Sequence, residues 1–229
     1  MLLEICANSY KSALNANVAK AHRIELCQEL SVGGITPSCG VIEKVLQDVD
    51  IPVFVLIRPR SGNFEYSEAE FDIMKKDIEI CRKLGCQGVV SGILNENKSI
   101  DVQRTKALVE LSKPLEFSFH RAFDEVADPE LALEQLIQIG VNRILTSGQA
   151  VSADKGLALL EKLHMQSRGR LSIMAGAGIN STNVAKFRSI GLKEIHASAS
   201  VILPQNQSLF ASTQTVSDIN KIKSILDAM

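Results

Sequence analysis

The fold of this chain is set by residues 2–27, which read LLEICANSYKSALNANVAKAHRIELC. Two short apolar segments stand at the ends, and each carries a glutamate two residues before a cysteine, Glu4 with Cys6 and Glu25 with Cys27. The segment between them is long enough for the helix of a parallel crossover, which needs about a dozen or more residues. We therefore expect two parallel strands side by side, about 4.8 Å apart. Because side chains alternate along a strand, matching registers would bring two carboxylates and two thiols together, an arrangement suited to chemistry or metal binding.

Strand and helix patterns alternate eight times along the chain. The strand candidates are Leu2–Cys6, Arg23–Cys27, Val53–Arg58, Gly88–Gly92, Leu115–His120, Arg143–Gly148, Leu171–Gly176 and Glu194–Ser200. They are short and apolar on both faces, which is typical of strands that helices cover. Helical patterns lie between these strand candidates. Two of the helix starts are clear from the sequence: a capping box from Ser67 to Glu70, and Asp128 followed by a first-turn proline.

This alternation predicts a single (β/α)8 TIM-type barrel with an extra C-terminal helix. We expect one domain over residues 1–229, with the barrel over about 2–203 and a C-terminal loop and helix over 204–229. The competing fold is a doubly wound open sheet. That fold favours a glycine-rich first turn, which residues 6–10 lack.

The composition argues against several kinds of partner. A net charge of −1 gives no electrostatic reason to expect nucleic acid or an anionic membrane surface. No apolar run approaches the roughly 20 residues of a membrane span, and the N-terminus lacks the pattern of a signal peptide. The five cysteines form no Cys-x-x-Cys pair, so we expect reduced thiols and a cytoplasmic location.

The polar residues of the strands are concentrated at one end. In barrels of this kind the working site lies at the C-terminal ends of the strands. The residues at those ends that can ionise, donate, coordinate or leave room for a ligand are Glu4, Cys6, Glu25, Cys27, Arg58, Arg60, Ser91, His120, Arg121, Ser147, Gly176, Gly178, His196 and Ser198. The opposite ends carry Leu2, Pro52, Val53, Leu115 and Leu171. This asymmetry predicts a working site at the first end and a bland opposite end.

One interpretation of these residues is an enzyme site. The candidate catalytic residues are Glu4, Glu25, Arg58, His120 and His196, which supply acids, bases and charge. The candidate ligand-binding residues are Arg60, Arg121, Ser147, Gly176 and Gly178. The loop from Gly176 to Gly178, with a helix opening near Ser181, lies where many barrels hold a phosphate. The substrate would be a small phosphorylated or anionic metabolite.

The same residues also have a structural interpretation. Cysteines within strands are often small core residues, so Cys6 and Cys27 need not bind anything. The carboxylates of Glu4 and Glu25 sit in apolar strands and need a partner, and Arg58 on the next strand is the expected one. Such a network would stabilise the lumen without any ligand.

Six motifs, in this order along the chain, resemble the CutC copper homeostasis family. They are Arg23-Ile24-Glu25-Leu26-Cys27, Gly33-Gly34-Ile35-Thr36-Pro37-Ser38, Ile57-Arg58-Pro59-Arg60, Phe119-His120-Arg121-Ala122-Phe123-Asp124, Ile144-Leu145-Thr146-Ser147-Gly148 and Ile173-Met174-Ala175-Gly176-Ala177-Gly178. The resemblance extends from residue 2 to about residue 200. Two departures are Ser61 and Asn63, where the family more often has glycine and aspartate, and the eighth strand lacks an arginine that some members carry.

The resemblance implies a TIM barrel, a cytoplasmic location, self-association into a homo-oligomer and a role in copper tolerance. It also implies copper(I) binding through two strand-end cysteines, which correspond here to Cys6 and Cys27. Soft thiolates do prefer Cu(I) to hard cations, and two of them suffice for a linear site. Copper binding is the first hypothesis, and an enzyme at the same barrel mouth is the alternative.

Overall fold

The computed structural model describes residues 1–204 and 213–229. Eight parallel strands form a closed barrel in chain order, and the last strand pairs with the first. The strands are β1 (Leu2–Ala7), β2 (Arg23–Leu26), β3 (Val53–Leu56), β4 (Gly88–Ser91), β5 (Glu116–Phe119), β6 (Arg143–Thr146), β7 (Ser172–Ala175) and β8 (Glu194–Ala197). The predicted (β/α)8 barrel is confirmed, and the open doubly wound sheet is wrong because its edge strands would not meet.

Helices cover the outside of this barrel. They are α1 (Tyr10–Val18), α2 (Cys39–Asp48), α3 (Glu68–Leu84), α4 (Val102–Ser112), α5 (Pro129–Gln138), α6 (Leu157–Ser167), α7 (Val184–Ser189) and α8 (Ile219–Asp227). Every residue of β2, β3, β4 and β6 is buried, as expected for strands packed on both faces. Two 3₁₀ turns, at Leu30–Val32 and Arg121–Glu125, lie in the loops that follow β2 and β5.

The predicted helix starts are confirmed where a side chain caps them. Ser67 accepts from the backbone N–H of Glu70, and the Glu70 carboxylate accepts from that of Ser67 in return. Asp128 caps α5 ahead of its first-turn proline. These caps stop the helices from extending backwards and so fix where each strand–helix unit begins.

The C-terminal segment ends in the predicted helix, α8, which lies against α1 and, as the helix that follows β8, is the eighth helix of the barrel. A short antiparallel pair, β9 (Ser200–Ile202) with β10 (Thr215–Ser217), precedes it and was not expected from the sequence. The helix begins at Ile219 because the Asp218 side chain accepts from the N–H of Lys221. The expected loop after residue 204 lies mostly outside the described residues.

The registers of β1 and β2 do not match, so the condition for bringing both carboxylates and both thiols together at one level is not met. Cys6 lies opposite Glu25, and Glu4 lies opposite Arg23, an offset of two residues. Strands of a closed barrel are staggered, so residues at the same position in neighbouring strands lie at different heights along the barrel axis. Cys27 consequently lies just beyond the end of β2, where its N–H donates to Ala7 O at 3.0 Å. The two thiols meet at the mouth while Glu4 lies deeper in the lumen.

Candidate metal centre

The two cysteines form a buried pair at the C-terminal end of the barrel. Their Sγ atoms are 3.7 Å apart and form a hydrogen bond. Cys6 and Cys27 are 6% and 1% exposed, so they are accessible only through the cavity at the mouth. The hydrogen bond to Cys27, together with burial, raises the pKa of Cys6 well above its usual value. In the metal-free protein the Cys6 thiol therefore keeps its proton at neutral pH.

Close backbone packing holds the Cys27 thiol in place. Gly34, in the loop after β2, has φ of +87°, and a Cβ there would stand 3.5 Å from the Cys27 Sγ and 2.8 Å from Leu56 Cδ2. A larger residue would be strained by its backbone conformation and would clash with Leu56. The glycine therefore lets the loop cover the sulfur.

His196, at the inner face of β8, completes a set of metal-binding groups. One ligand atom each from Cys6, Glu25 and His196 lies within 4.8 Å of the other two. The His196 Nε2 stands 3.5 Å from Glu25 Oε2. On its other side, Nδ1 donates to Glu4 Oε1 at 2.8 Å. A carboxylate behind a histidine in this way fixes the ring orientation and is a common support for metal-binding imidazoles.

The electrostatics of this set favour a charged pair, Glu4 with His196, beside an acid that titrates near neutral pH. Burial by itself would raise the pKa of Glu4, but the charges of Arg23 and His196 lower it to about 2. Burial by itself would lower the pKa of His196, but hydrogen bonds to Cys6 and Glu4 raise it well above its usual value. Burial raises the pKa of Glu25 to about 7, with the Glu4 charge adding to the rise. At neutral pH the Glu4 carboxylate and the His196 imidazolium are charged, and Glu25 titrates nearby.

We expect Glu25→Gln to stabilise the metal-free protein at pH 8 by about 3 kcal/mol, since folding raises the pKa of Glu25 from 4.5 to about 7 and one pKa unit corresponds to about 1.4 kcal/mol. The folded pKa of Glu25, about 7, stands above its usual 4.5, so folding favours the neutral acid. That stabilisation is complete below the unfolded pKa and is lost as the pH rises through 7. Glutamine cannot ionise and loses nothing. Urea unfolding at pH 5 and pH 8 measures the effect, and an equal change at both values would contradict the assigned pKa.

The ion pair expected between the glutamates and Arg58 is wrong. Arg58 lies beyond the end of β3, and its guanidinium donates to three backbone carbonyls, those of Val32, Gly34 and Gly62. It thereby ties together the two loops that follow β2 and β3. Among the described residues, no carboxylate lies within ion-pair distance of this guanidinium. The partner of Glu4 is Arg23, which lies directly opposite it in the staggered register.

The opposite end of the barrel is not bland, contrary to expectation. Arg23 pairs with Glu4 and, at 2.6 Å, with Glu194, while Arg143 pairs with Glu194 at 3.1 Å and with Glu116. We call these five residues the lumen charge network. The ring of Phe54 lies between its two arginines, 4.7 Å from Arg23 Cζ and 4.9 Å from Arg143 Cζ. The sequence signal for this network is the arginine at the first position of two otherwise mostly apolar strands, Arg23 in β2 and Arg143 in β6.

The candidate residues divide into those that line a cavity at the barrel mouth and those that lie outside its wall. A cavity of about 330 Å³ at the mouth is lined by Cys6, Glu25, Cys27, Arg58, His120, Arg121, Gly178 and His196, among others. Arg60, Ser147 and Gly176 are not in its wall. Arg60 instead pairs with Glu70, and the single Ser147 hydroxyl proton has two acceptors within reach, Ala150 O at 2.6 Å and Asp124 Oδ2 at 3.0 Å.

The glycine loop after β7 differs from the expected phosphate loop. The Gly176 N–H donates to Thr146 O at 3.0 Å. The helix expected near Ser181 begins at Val184 and runs only to Ser189. Side-chain hydrogen bonds explain the delay, because Asn183 Oδ1 accepts from the Asn180 N–H and forms a turn before the helix.

Within residues 1–204 and 213–229, no helix is both long enough and apolar enough to pass through a bilayer.

Fold and site together define a TIM-barrel protein with a candidate thiol–imidazole metal centre at its mouth. The CutC family model matches residues 1–201, so the chain belongs to the CutC family. The resemblance drawn from the six motifs is therefore confirmed.

Similar proteins carry the same family name. A relative from Photorhabdus laumondii, a family protein CutC, is 46% identical over 220 residues, covering 96% of this chain and 88% of the relative. A human relative, named copper homeostasis protein cutC homolog, is 47% identical over 199 residues, covering 86% of this chain and 73% of its own length. The crystal structure of the putative copper homeostasis protein CutC from Streptococcus agalactiae matches with a TM-score of 0.82 at 33% identity, covering 86% of this chain and 98% of that one.

Proposed function

We propose that this protein serves copper homeostasis by binding one Cu(I) ion between Cys6 and Cys27. The observation that carries the proposal is the 3.7 Å separation of their sulfur atoms. With metal–sulfur bonds of about 2.3 Å, as for zinc, two sulfurs stand about 3.8 Å apart at a tetrahedral angle and about 4.6 Å apart in a line. The pair therefore suits a bent site with at least one further ligand, rather than the linear site that two thiolates alone would form.

His196 is the best candidate for that further ligand. Its Nε2 faces Cys6 and Glu25, and its Nδ1–H is held by Glu4. Imidazole and thiolate together suit soft and borderline metals such as Cu(I). Binding would remove the proton from Nε2 and from the thiols, while Glu4 keeps the ring oriented.

The relatives' names and the state of the cysteines support copper as the cargo. The human and Streptococcus agalactiae relatives are named for copper homeostasis. All five cysteines of this chain are free thiols, which is typical of the reducing cytoplasm, where copper is held as Cu(I). The homo-oligomer implied by the family stays a prediction, which sedimentation velocity of the metal-free and copper-loaded chain would test.

We expect anaerobic titration against a chromophoric Cu(I) chelator to give one Cu(I) per chain. Zinc is the competing metal, because two thiols, an imidazole and a carboxylate also make a four-ligand zinc set. Glu25→Gln separates the two, since Cu(I) does not need a hard carboxylate oxygen whereas zinc would lose its fourth ligand. We expect this variant to keep its Cu(I) affinity. Tighter binding of Zn²⁺ than of Cu(I), lost in Glu25→Gln, would contradict copper as the cargo.

An enzyme acting on a small phosphorylated or anionic metabolite stays the alternative. Glu25 and His196 stand close enough to exchange a proton, at 3.5 Å. In the described part of the chain, His120 makes no hydrogen bond or ion pair with either of them. The geometry therefore favours the metal centre, and the groups across the cavity from it need a separate explanation.

A further inference from the structure

His120 presents an unused hydrogen-bond donor at the barrel mouth. Its Nδ1 accepts from the N–H of Ala122 at 3.2 Å, so in the neutral ring the proton is on Nε2. Burial and the charge of Arg58 lower the pKa of His120 to about 3, which keeps the ring neutral. The side chain lines the mouth cavity and is 5% exposed, yet its buried Nε2 has no hydrogen-bond partner. A buried donor left unpaired destabilises the fold, so its position calls for a ligand.

The charges around this donor favour an anion. Arg121 and Arg58 both line the cavity, and Glu25 is the one carboxyl group among its described lining residues. Arg121 donates through Nε to Asp124 at 2.7 Å and through Nη2 to Ser147 at 3.1 Å. These contacts fix the guanidinium and leave Nη1 for a further acceptor. Arg58 is buried against carbonyl groups, and its Nε also lacks a partner.

We propose that the mouth cavity binds a small organic anion, a carboxylate or a phosphate, through His120 Nε2–H and the Arg121 guanidinium. The volume of about 330 Å³ is at the lower end of the range for small-molecule sites, about 300–1,000 Å³. A fixed guanidinium and a desolvated N–H together form strong, directional bonds to such groups. The anion end of the ligand would lie on the β5 side of the cavity, across from the thiol pair. This site goes beyond copper binding and does not depend on it.

The test is calorimetric titration of the metal-free protein at low ionic strength with four probes: inorganic phosphate, glycerol phosphate, acetate and succinate. We expect saturable binding at one site per chain, and the probe that binds tightest identifies the group as phosphate or carboxylate. Two substitutions of His120 form a matched pair. His120→Asn keeps an acceptor near the Nδ1 position but has no donor at the Nε2 position, whereas His120→Gln keeps a donor there. We expect the asparagine variant to lose roughly tenfold or more in affinity, and the glutamine variant to lose less.

A second variant keeps the test decisive if the His120 substitutions disturb folding. Arg121 is partly exposed, and we expect Arg121→Gln to fold normally and to weaken the same probe roughly tenfold or more. Both sets of variants should retain native Cu(I) affinity, while Cys6→Ser with Cys27→Ser should retain anion binding, so failure of one site is distinguishable from failure of the other. No binding of any probe to the native chain, or native affinity in both His120→Asn and Arg121→Gln, would overturn the proposal.

Discussion

Replacing Cys6 and Cys27 together with serine is expected to weaken Cu(I) binding roughly a thousandfold, or about 4 kcal/mol. Serine has almost the size of cysteine, so the packing of the mouth changes little. Its hydroxyl is a hard donor that stays protonated at neutral pH, however, and cannot replace a soft thiolate toward Cu(I). Anaerobic competition with a chromophoric chelator, on native and variant chains side by side, measures the change.

Cys39→Ser is the matched control for that experiment. Cys39 is an exposed thiol in the first turn of α2, away from the mouth cavity. Its replacement removes one thiol from the chain without altering the proposed centre, and we expect native Cu(I) affinity. A loss in Cys39→Ser as large as in the double variant would show that the copper is held elsewhere.

Arg23→Met is expected to lower the free energy of unfolding by about 3–5 kcal/mol, the usual cost of breaking a buried ion pair from one side. Arg23 is 4% exposed and is the direct partner of both Glu4 and Glu194. Methionine fills much of the same space but leaves Glu4 with the His196 imidazolium as its remaining cation, and Glu194 with Arg143 alone. Urea unfolding at pH 7 measures the loss.

Arg170→Met provides the comparison on the surface. Arg170 pairs with Glu134 through two hydrogen bonds of 2.8 Å, but it is 42% exposed. We expect a much smaller loss of stability, because solvent screens such pairs. If Arg23→Met costs no more than Arg170→Met, the lumen charge network does not stabilise the barrel.

The barrel was predictable because its signals are local. Each strand is a short apolar run, and side-chain caps such as Ser67 and Asp128 mark where helices start. The short pair β9 and β10 escaped prediction because each strand has only three residues, too few for a clear alternation of polar and apolar side chains.

The sequence predicted which residues lie at the candidate site, but not which of them pair with one another. Position in the strands placed Cys6, Glu25, Cys27 and His196 at the mouth, and the structure brings them together. Their partners depended on the stagger between strands, which no local pattern encodes. Because of the two-residue offset, Glu4 forms its ion pair with Arg23 and not with Arg58. The same offset places Cys6 opposite Glu25.

X-ray absorption spectroscopy of the chain loaded with one equivalent of Cu(I) tests the proposed centre most directly. We expect a three-coordinate copper ion with two sulfur neighbours at about 2.3 Å and one nitrogen neighbour. The nitrogen should disappear in His196→Phe, while the sulfurs remain. A copper ion with fewer than two sulfur neighbours in the native chain, or an unchanged spectrum in Cys6→Ser with Cys27→Ser, would contradict it.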